Sequence, residues 1–232
     1  MAAKIQISEK KTKYYRKSLL LNEKVCIFAL HMNNELNKEV KWSENIVLAD
    51  ADYVDTVAFN LIVNFERMIG RRIPQADMAK WLDCIALDGG IREGENEIQV
   101  ILIHQKDKLQ MNNFVPGNYA NDLTGKAFKD HLGEFTINAY QTEAYAKTDD
   151  FFNEVLELVC TQKGIKRVMV IPNAEDATIY NKVRETLRRA DEDDKRITVF
   201  TMQPQTSGSF RQEILGYSLM AALGIKADEI KD

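Results

Sequence analysis

Three carboxylates stand within six residues of one another in the run LADADYVD, residues 48–55: Asp50, Asp52 and Asp55. They follow directly on the apolar run that begins at Ile46. Paired carboxylates at such a place suit a hard divalent ion such as Mg2+ or Mn2+, which takes oxygen ligands and stays partly hydrated. The plain alternative is that Asp52 or Asp55 caps the helix that follows, because a carboxylate satisfies free N–H groups there and the dipole favours negative charge. Asp50 is harder to dismiss, since a carboxylate closing a buried strand needs a partner. A second acidic turn, Asn173-Ala174-Glu175-Asp176, follows the run RVMVIP. Asp176 and Asn173 are candidate ligands for the same ion, with capping of the next helix as the alternative. A third group, Thr206, Ser207, Ser209 and Arg211, follows another apolar run. Hydroxyls, a glycine and a helix N-terminus there would hold a phosphate, or else form a loop with a Ser cap.

These groups gain meaning only from the elements that place them. Near-continuous apolar runs predict strands at Ile46 to Ala49, Ile98 to His104, Phe135 to Tyr140, Arg167 to Ile171 and Ile197 to Thr201, as expected of strands covered on both faces. Between the first two, Val54, Val57, Ala58, Leu61, Ile62, Phe65, Met68 and Ile69 recur at helical spacing and stop at Gly70. Further helices are predicted at about 75–87, 150–162, 176–189 and 209–223. Residues 106–133 read as a long polar connection with a short helix at Lys126 to His131. The alternation of strand and helix predicts an α/β three-layer sandwich, a mostly parallel sheet of about five strands with helices on both faces. In such a sheet ligands bind beyond the C-terminal strand ends, where all three groups are expected.

Composition narrows the choice. The chain has 232 residues, 45% of them apolar, and a formal net charge of -4. Residues 1–31 hold seven Lys/Arg against two Glu, leaving about -9 on the rest, so no general attraction to nucleic acid is expected. Residues 1–40 read as a leader, with Met32 as an alternative start, and 41–232 as one domain. The apolar run VCIFAL is too short for a bilayer span or a signal segment, so a cytoplasmic protein without membrane contact is expected. Cys26, Cys84 and Cys160 lie far apart, as do His31, His104 and His131, and neither set has zinc-site spacing. A P-loop fails because Ala127 replaces the needed Ser/Thr, and no G-x-G-x-x-G follows a strand. Arg71, Arg72, Lys126 and Lys129 could meet an anionic partner.

The order strand, Asp, two helices, strand, irregular region, strand, helix, strand, acidic turn, helix, strand resembles PIN-like domains, particularly the NYN branch of metal-dependent ribonucleases. Asp50 matches the family's first acid, with Asp52 close behind. Asp149 or Asp150 matches a middle acid, and Asn173 with Asp176 falls at the late acidic turn. IPNAEDAT lacks the family's Ser-Gly-Asp run, which puts the metal site in question. The resemblance implies a crevice in which Asp50, Asp52 and Asp176 bind one or two Mg2+ or Mn2+ ions and cleave RNA or another phosphate-containing ligand. A non-catalytic binding or assembly module on the same fold is the alternative, and a homo-oligomer is left open. Asp50-Ala51-Asp52-Tyr53-Val54 also resembles the opening of haloacid-dehalogenase-like phosphatases, where the first Asp is nucleophile and the second general acid. The chain is similar, too, to small uncharacterised proteins of anaerobic gut bacteria.

Overall fold

The computed structural model describes residues 41–142, 148–189, 195–205 and 208–230. The predicted leader, residues 1–40, lies outside them. Residues from Trp42 onward form one compact unit.

All five predicted strands are present. They are β1 (Asn45–Asp50), β3 (Asn96–His104), β6 (Gly133–Gln141), β7 (Arg167–Ile171) and β8 (Arg196–Thr201), in the order β6-β3-β1-β7-β8, all parallel. Two edge strands bring the sheet to seven: β5 (Lys126–Lys129), antiparallel to β6, and β9 (Arg211–Ile214), parallel to β8. Both correct the sequence expectation. Lys126 to His131 is not a helix, and the helix expected from Ser209 starts only at Leu215. Edge strands are covered on one side only, so both lack the apolar runs that mark inner strands and carry charge at their rims. A two-stranded sheet pairs β2 (Ala76–Asp77) with β4 (Phe114–Val115), and a π-helical turn spans Tyr119–Leu123.

Five α-helices lie among the described residues: α1 (Ala51–Ile69), α2 (Met78–Asp88), α3 (Thr148–Thr161), α4 (Ala177–Arg189) and α5 (Leu215–Ala222). Strand alternation sends Val47, Ala49, Val100, Leu102, Met169 and Ile171 to one face, where they form one core with α1, α2 and α5. On the other face α3 packs against β1, β3 and α4. The three-layer sandwich follows. Trp81, Phe114, Phe135, Phe152 and Phe200 are its largest fully buried side chains. Met68, expected on the buried stripe of α1, is exposed.

Two glycines fix boundaries. Gly70 closes α1 with φ 74°, donating its N–H to Glu66 O at 3.0 Å, a left-handed conformation that a Cβ disfavours. Gly133, with φ 145°, opens β6 against β3, where an added Cβ would lie 2.1 Å from Asn96 O. No helix among the described residues is long and apolar enough to cross a membrane.

Candidate functional site

The chain runs outward from β1 to β3 and β6, then returns through α3 to β7 on the other side of β1. This reversal opens a crevice at the C-terminal end of β1. Asp50 is the last residue of β1, in register with Ile103 of β3, and β7 pairs along the opposite side. The helix begins at the next residue, so Asp50 is also the N-cap of α1: its Oδ1 accepts from the Tyr53 amide at 3.0 Å. Capping and burial coincide. Asp50 is 6% exposed, and burial pushes its carboxyl from the ordinary 3.8 up to about 7, with the negative charges of Asp52 and Asp149 adding to the effect.

Asp52 sits in the first turn of α1, also buried. Its Oδ2 accepts from the Gln105 amide at 2.8 Å, tying α1 to the end of β3. Its Oδ1 is buried without a hydrogen bond, and the half-exposed Lys108 ammonium lies 3.4 Å from it. Two phenols nearby are unsatisfied as well. The Tyr53 and Tyr119 hydroxyls are buried without partners. Burial lifts both above the usual tyrosine range, reinforced by Glu175 and Asp50 at Tyr53 and by Asp52, Asp55 and Asp50 at Tyr119. The Tyr119 ring stacks on His104, the last residue of β3, with centroids 3.8 Å apart. His104 Nδ1 lies 2.9 Å from Gln105 O, a contact that needs a proton on Nδ1, and burial lowers the basicity of the ring. Five buried polar groups with unmet bonding capacity or shifted acidity, Asp50, Asp52, Tyr53, His104 and Tyr119, thus lie around the switch point, a combination common at functional sites.

The other predicted residues fare differently. Asp55 is structural, since its carboxylate accepts from the Asn112 and Asn113 amides at 3.1 and 2.8 Å and anchors the loop before β4. Asp176 is exposed, and its Oδ1 accepts from the Thr178 and Ile179 amides at 2.7 and 3.2 Å. Those two bonds hold its carboxyl below the usual range and make it the cap of α4. Asn173 is half-buried beyond β7. Of the two middle acids, Asp149 bears electrostatically on Asp50, whereas Asp150 Oδ1 accepts from Lys182 Nζ at 2.8 Å across α3 and α4. Thr206 and Ser207 lie outside the described residues. The phosphate cradle expected around them loses its helix: Ser209 precedes a strand, α5 starts at Leu215, and the Arg211 guanidinium pairs with Glu213. The strand forms because residues 211–214 find backbone partners on β8.

Asp50 and Asp52 suit a single divalent ion. An Mg2+ ion needs only one or two carboxylates, drawing its remaining ligands from water and substrate phosphates, and Asp52 Oδ1 has no hydrogen bond, only the Lys108 ammonium 3.4 Å away, which an ion there would have to displace. A second ion is poorly provided for, with Asp176 engaged in its cap and Asn173 neutral. Among the described residues, three acidic or imidazole ligand atoms come within 4.8 Å of one another only at Asp83, Asp130 and His131, away from this crevice on α2 and the β5–β6 turn.

Sequence reasoning missed Tyr53, His104, Lys108 and Tyr119. His104 was reachable, because it ends an apolar run by the same rule that picked Asp50. Nothing local marked Tyr119, which reaches the crevice only through the fold of residues 106–133.

A family model described as a family of unknown function, DUF6621, matches residues 39–230. No curated protein and no solved structure matches the chain.

Proposed function

The chain belongs to the DUF6621 family, and from that premise we propose that it is a PIN-like domain that holds one Mg2+ or Mn2+ ion at Asp50 and Asp52 and hydrolyses phosphodiester bonds of RNA. The observation that carries the reading is the buried Oδ1 of Asp52, without a hydrogen bond and met only by the Lys108 ammonium at 3.4 Å, beside an Asp50 carboxyl that burial raises to about 7 at the topological switch point. A divalent cation there would polarise a phosphate oxygen and acidify water. Asp50 would hold the ion in its ionised form, with the cation's charge offsetting the burial that favours the protonated carboxyl and the lesser repulsion from Asp52 and Asp149. Lys108, freed from Asp52 and half-exposed, is placed to meet a substrate phosphate. The stacked, buried His104 and Tyr119 rings lie beside these carboxylates.

A second reading, a binding module without catalysis, is favoured by the capping role of Asp176 and by Asn173 standing where an acid belongs. The phosphatase reading is weaker. It needs Asp52 as a mobile general acid, and here Asp52 is fixed within a helical turn by the Gln105 amide.

Thermal unfolding of wild type and Asp50→Asn, each with and without millimolar Mn2+, tests the metal directly. An ion at 100 times its dissociation constant should stabilise wild type by ~2.7 kcal/mol, roughly 5–10 °C in a domain of this size, and Asp50→Asn by far less. Equal shifts in both proteins, or none, would refute the cation site. Given the shift, Mn2+-dependent cleavage of a short single-stranded RNA that disappears in Asp50→Asn selects the nuclease. Binding without cleavage, unaltered in Asp50→Asn, selects the module.

A further inference from the structure

The opposite end of the sheet carries the opposite charge. A cleft of about 630 Å³ opens at the N-terminal ends of β1, β3, β7 and β8, and among the described residues its charged lining is Lys163, Lys166, Arg167, Lys195, Arg196 and one acid, Glu44. Among the described residues five cations and one carboxylate line it, in a chain whose net charge is -4, and Lys195 is one of the cations already engaged. The lone acid is already used, because Glu44 Oε1 accepts from Lys166 Nζ at 2.5 Å. Among the described residues, Lys163 and Arg196 make no ion pair. Arg167 donates from one terminal nitrogen to Gly89 O at 2.8 Å while its Nε is buried without a partner. Burial and the neighbouring charges of Arg196 and Arg92 lower its hold on its proton.

Cations near helix C-termini are ordinary, since they complement the dipole. That accounts for Lys163, just past α3. It does not account for Arg167 and Arg196, which open adjacent parallel strands in register and so repel each other side by side. Arrangements of like charge around a concavity are stabilised by an anion, and a guanidinium pair fits phosphate oxygens. The cleft volume falls in the range of small-ligand sites, roughly 300–1,000 Å³. No aromatic side chain is among its described lining residues, so recognition falls on the phosphates.

We propose that this cleft binds a compact ligand bearing two or more phosphates, through Lys163, Arg167 and Arg196. The site is separate from the acidic crevice: the five residue steps of β1 put the two ends about 17 Å apart. Free oligophosphate and the phosphate tail of a nucleotide present the same chemistry.

The test is titration calorimetry of the full chain at 50 mM salt with EDTA, which silences any cation-dependent binding at Asp50. The probes are inorganic triphosphate, ATP and a single-stranded RNA decamer. Triphosphate should bind saturably below millimolar concentration. A Lys163→Gln/Arg196→Gln double variant, altered only at exposed positions, should weaken it at least tenfold. Glu44→Gln, which removes the one acid and frees Lys166, should tighten it severalfold, and Asp50→Asn should leave it unchanged. ATP tighter than triphosphate identifies a nucleotide as the source of the phosphates, and equal affinity identifies free oligophosphate. The proposal is overturned by absence of triphosphate binding at 1 mM, or by binding indifferent to the double variant and to Glu44→Gln. It is overturned equally if RNA binds through these residues more tightly than either small probe. Asp191, Glu192, Asp193 and Asp194 precede Lys195 in the sequence. Binding that emerges only after all four are neutralised means that the chain supplies its own anion, and also refutes the proposal.

Discussion

Exchanging Asp50 for Asn in buffer containing a chelator isolates the cost of burying one carboxylate. Asp50 is 6% exposed and its carboxyl is lifted by burial from 3.8 to about 7. Between those pH values the native chain holds a proton that the unfolded chain has released, so stability falls as pH rises through that window. At about 1.36 kcal/mol per pH unit, the whole interval corresponds to roughly 4 kcal/mol. Asn matches Asp in size and caps a helix about as well, so the Tyr53 amide keeps its acceptor. The variant should therefore equal wild type in stability near pH 4 and exceed it by up to roughly 4 kcal/mol at pH 8. Urea unfolding at pH 4, 5, 6, 7 and 8, followed by the fluorescence of the fully buried Trp81, reads this difference. Adding Mn2+ at pH 8 should narrow the gap, because the ion stabilises only the ionised carboxylate. A difference independent of pH, or an Asp50→Asn protein less stable than wild type at pH 8, would refute the reasoning. Either result would mean that Asp50 is ionised in the native state with its charge compensated by the protein.

The unpartnered phenols make a related case: Tyr53→Phe and Tyr119→Phe remove buried hydroxyls without hydrogen bonds, so each should leave metal-free stability unchanged or raise it by about 1 kcal/mol in urea unfolding. A loss above about 2 kcal/mol would show that the hydroxyls are bonded in solution. Gly133→Ala sets a Cβ 2.1 Å from Asn96 O and forces alanine to φ 145°, so it should cost more than about 2 kcal/mol, measured as a fall in Tm. Cys160 is buried in α3 with its thiol pushed up to about 12, chiefly by burial, and should resist iodoacetamide at pH 8 until the protein is unfolded. Rapid native labelling of the Cys160 peptide, read by mass spectrometry, would contradict that placement.

Much of the fold is legible in the sequence because it depends on local regularities. A strand covered on both faces reads as a near-continuous apolar run, as β1, β3, β7 and β8 do, whereas β6 alternates apolar residues with Thr136 and Asn138 on a less covered face. A helix closed by a left-handed residue favours glycine, and Gly70 marks the end of α1. Asp50 could be singled out because strand end and helix start meet at that residue. The edge strands could not be read, since Lys126–Lys129 and Arg211–Ile214 become strands only by finding β6 and β8 as partners. For the same reason the helix N-terminus expected to bind phosphate at Ser209 became a strand entrance.

The candidate site divides along the same line. The residue types and the sheet edge they occupy follow from sequence, but which acids remain available is decided by amides and side chains far along the chain. The Gln105 amide, 53 residues away, takes one oxygen of Asp52 and leaves the other unbonded. Asp176 looks like a ligand in one dimension, yet its acceptor capacity is spent on its own helix. His104 and Tyr119 stack only because β3 and the π-helical turn are brought together by the whole sheet. The basic cleft gathers four chain segments whose charges are dispersed in the sequence. Sequence thus determined the periodic elements and the chemical types at their ends. Tertiary structure alone decided how those ends are solvated and paired, because desolvation and hydrogen-bond satisfaction depend on neighbours in space rather than along the chain.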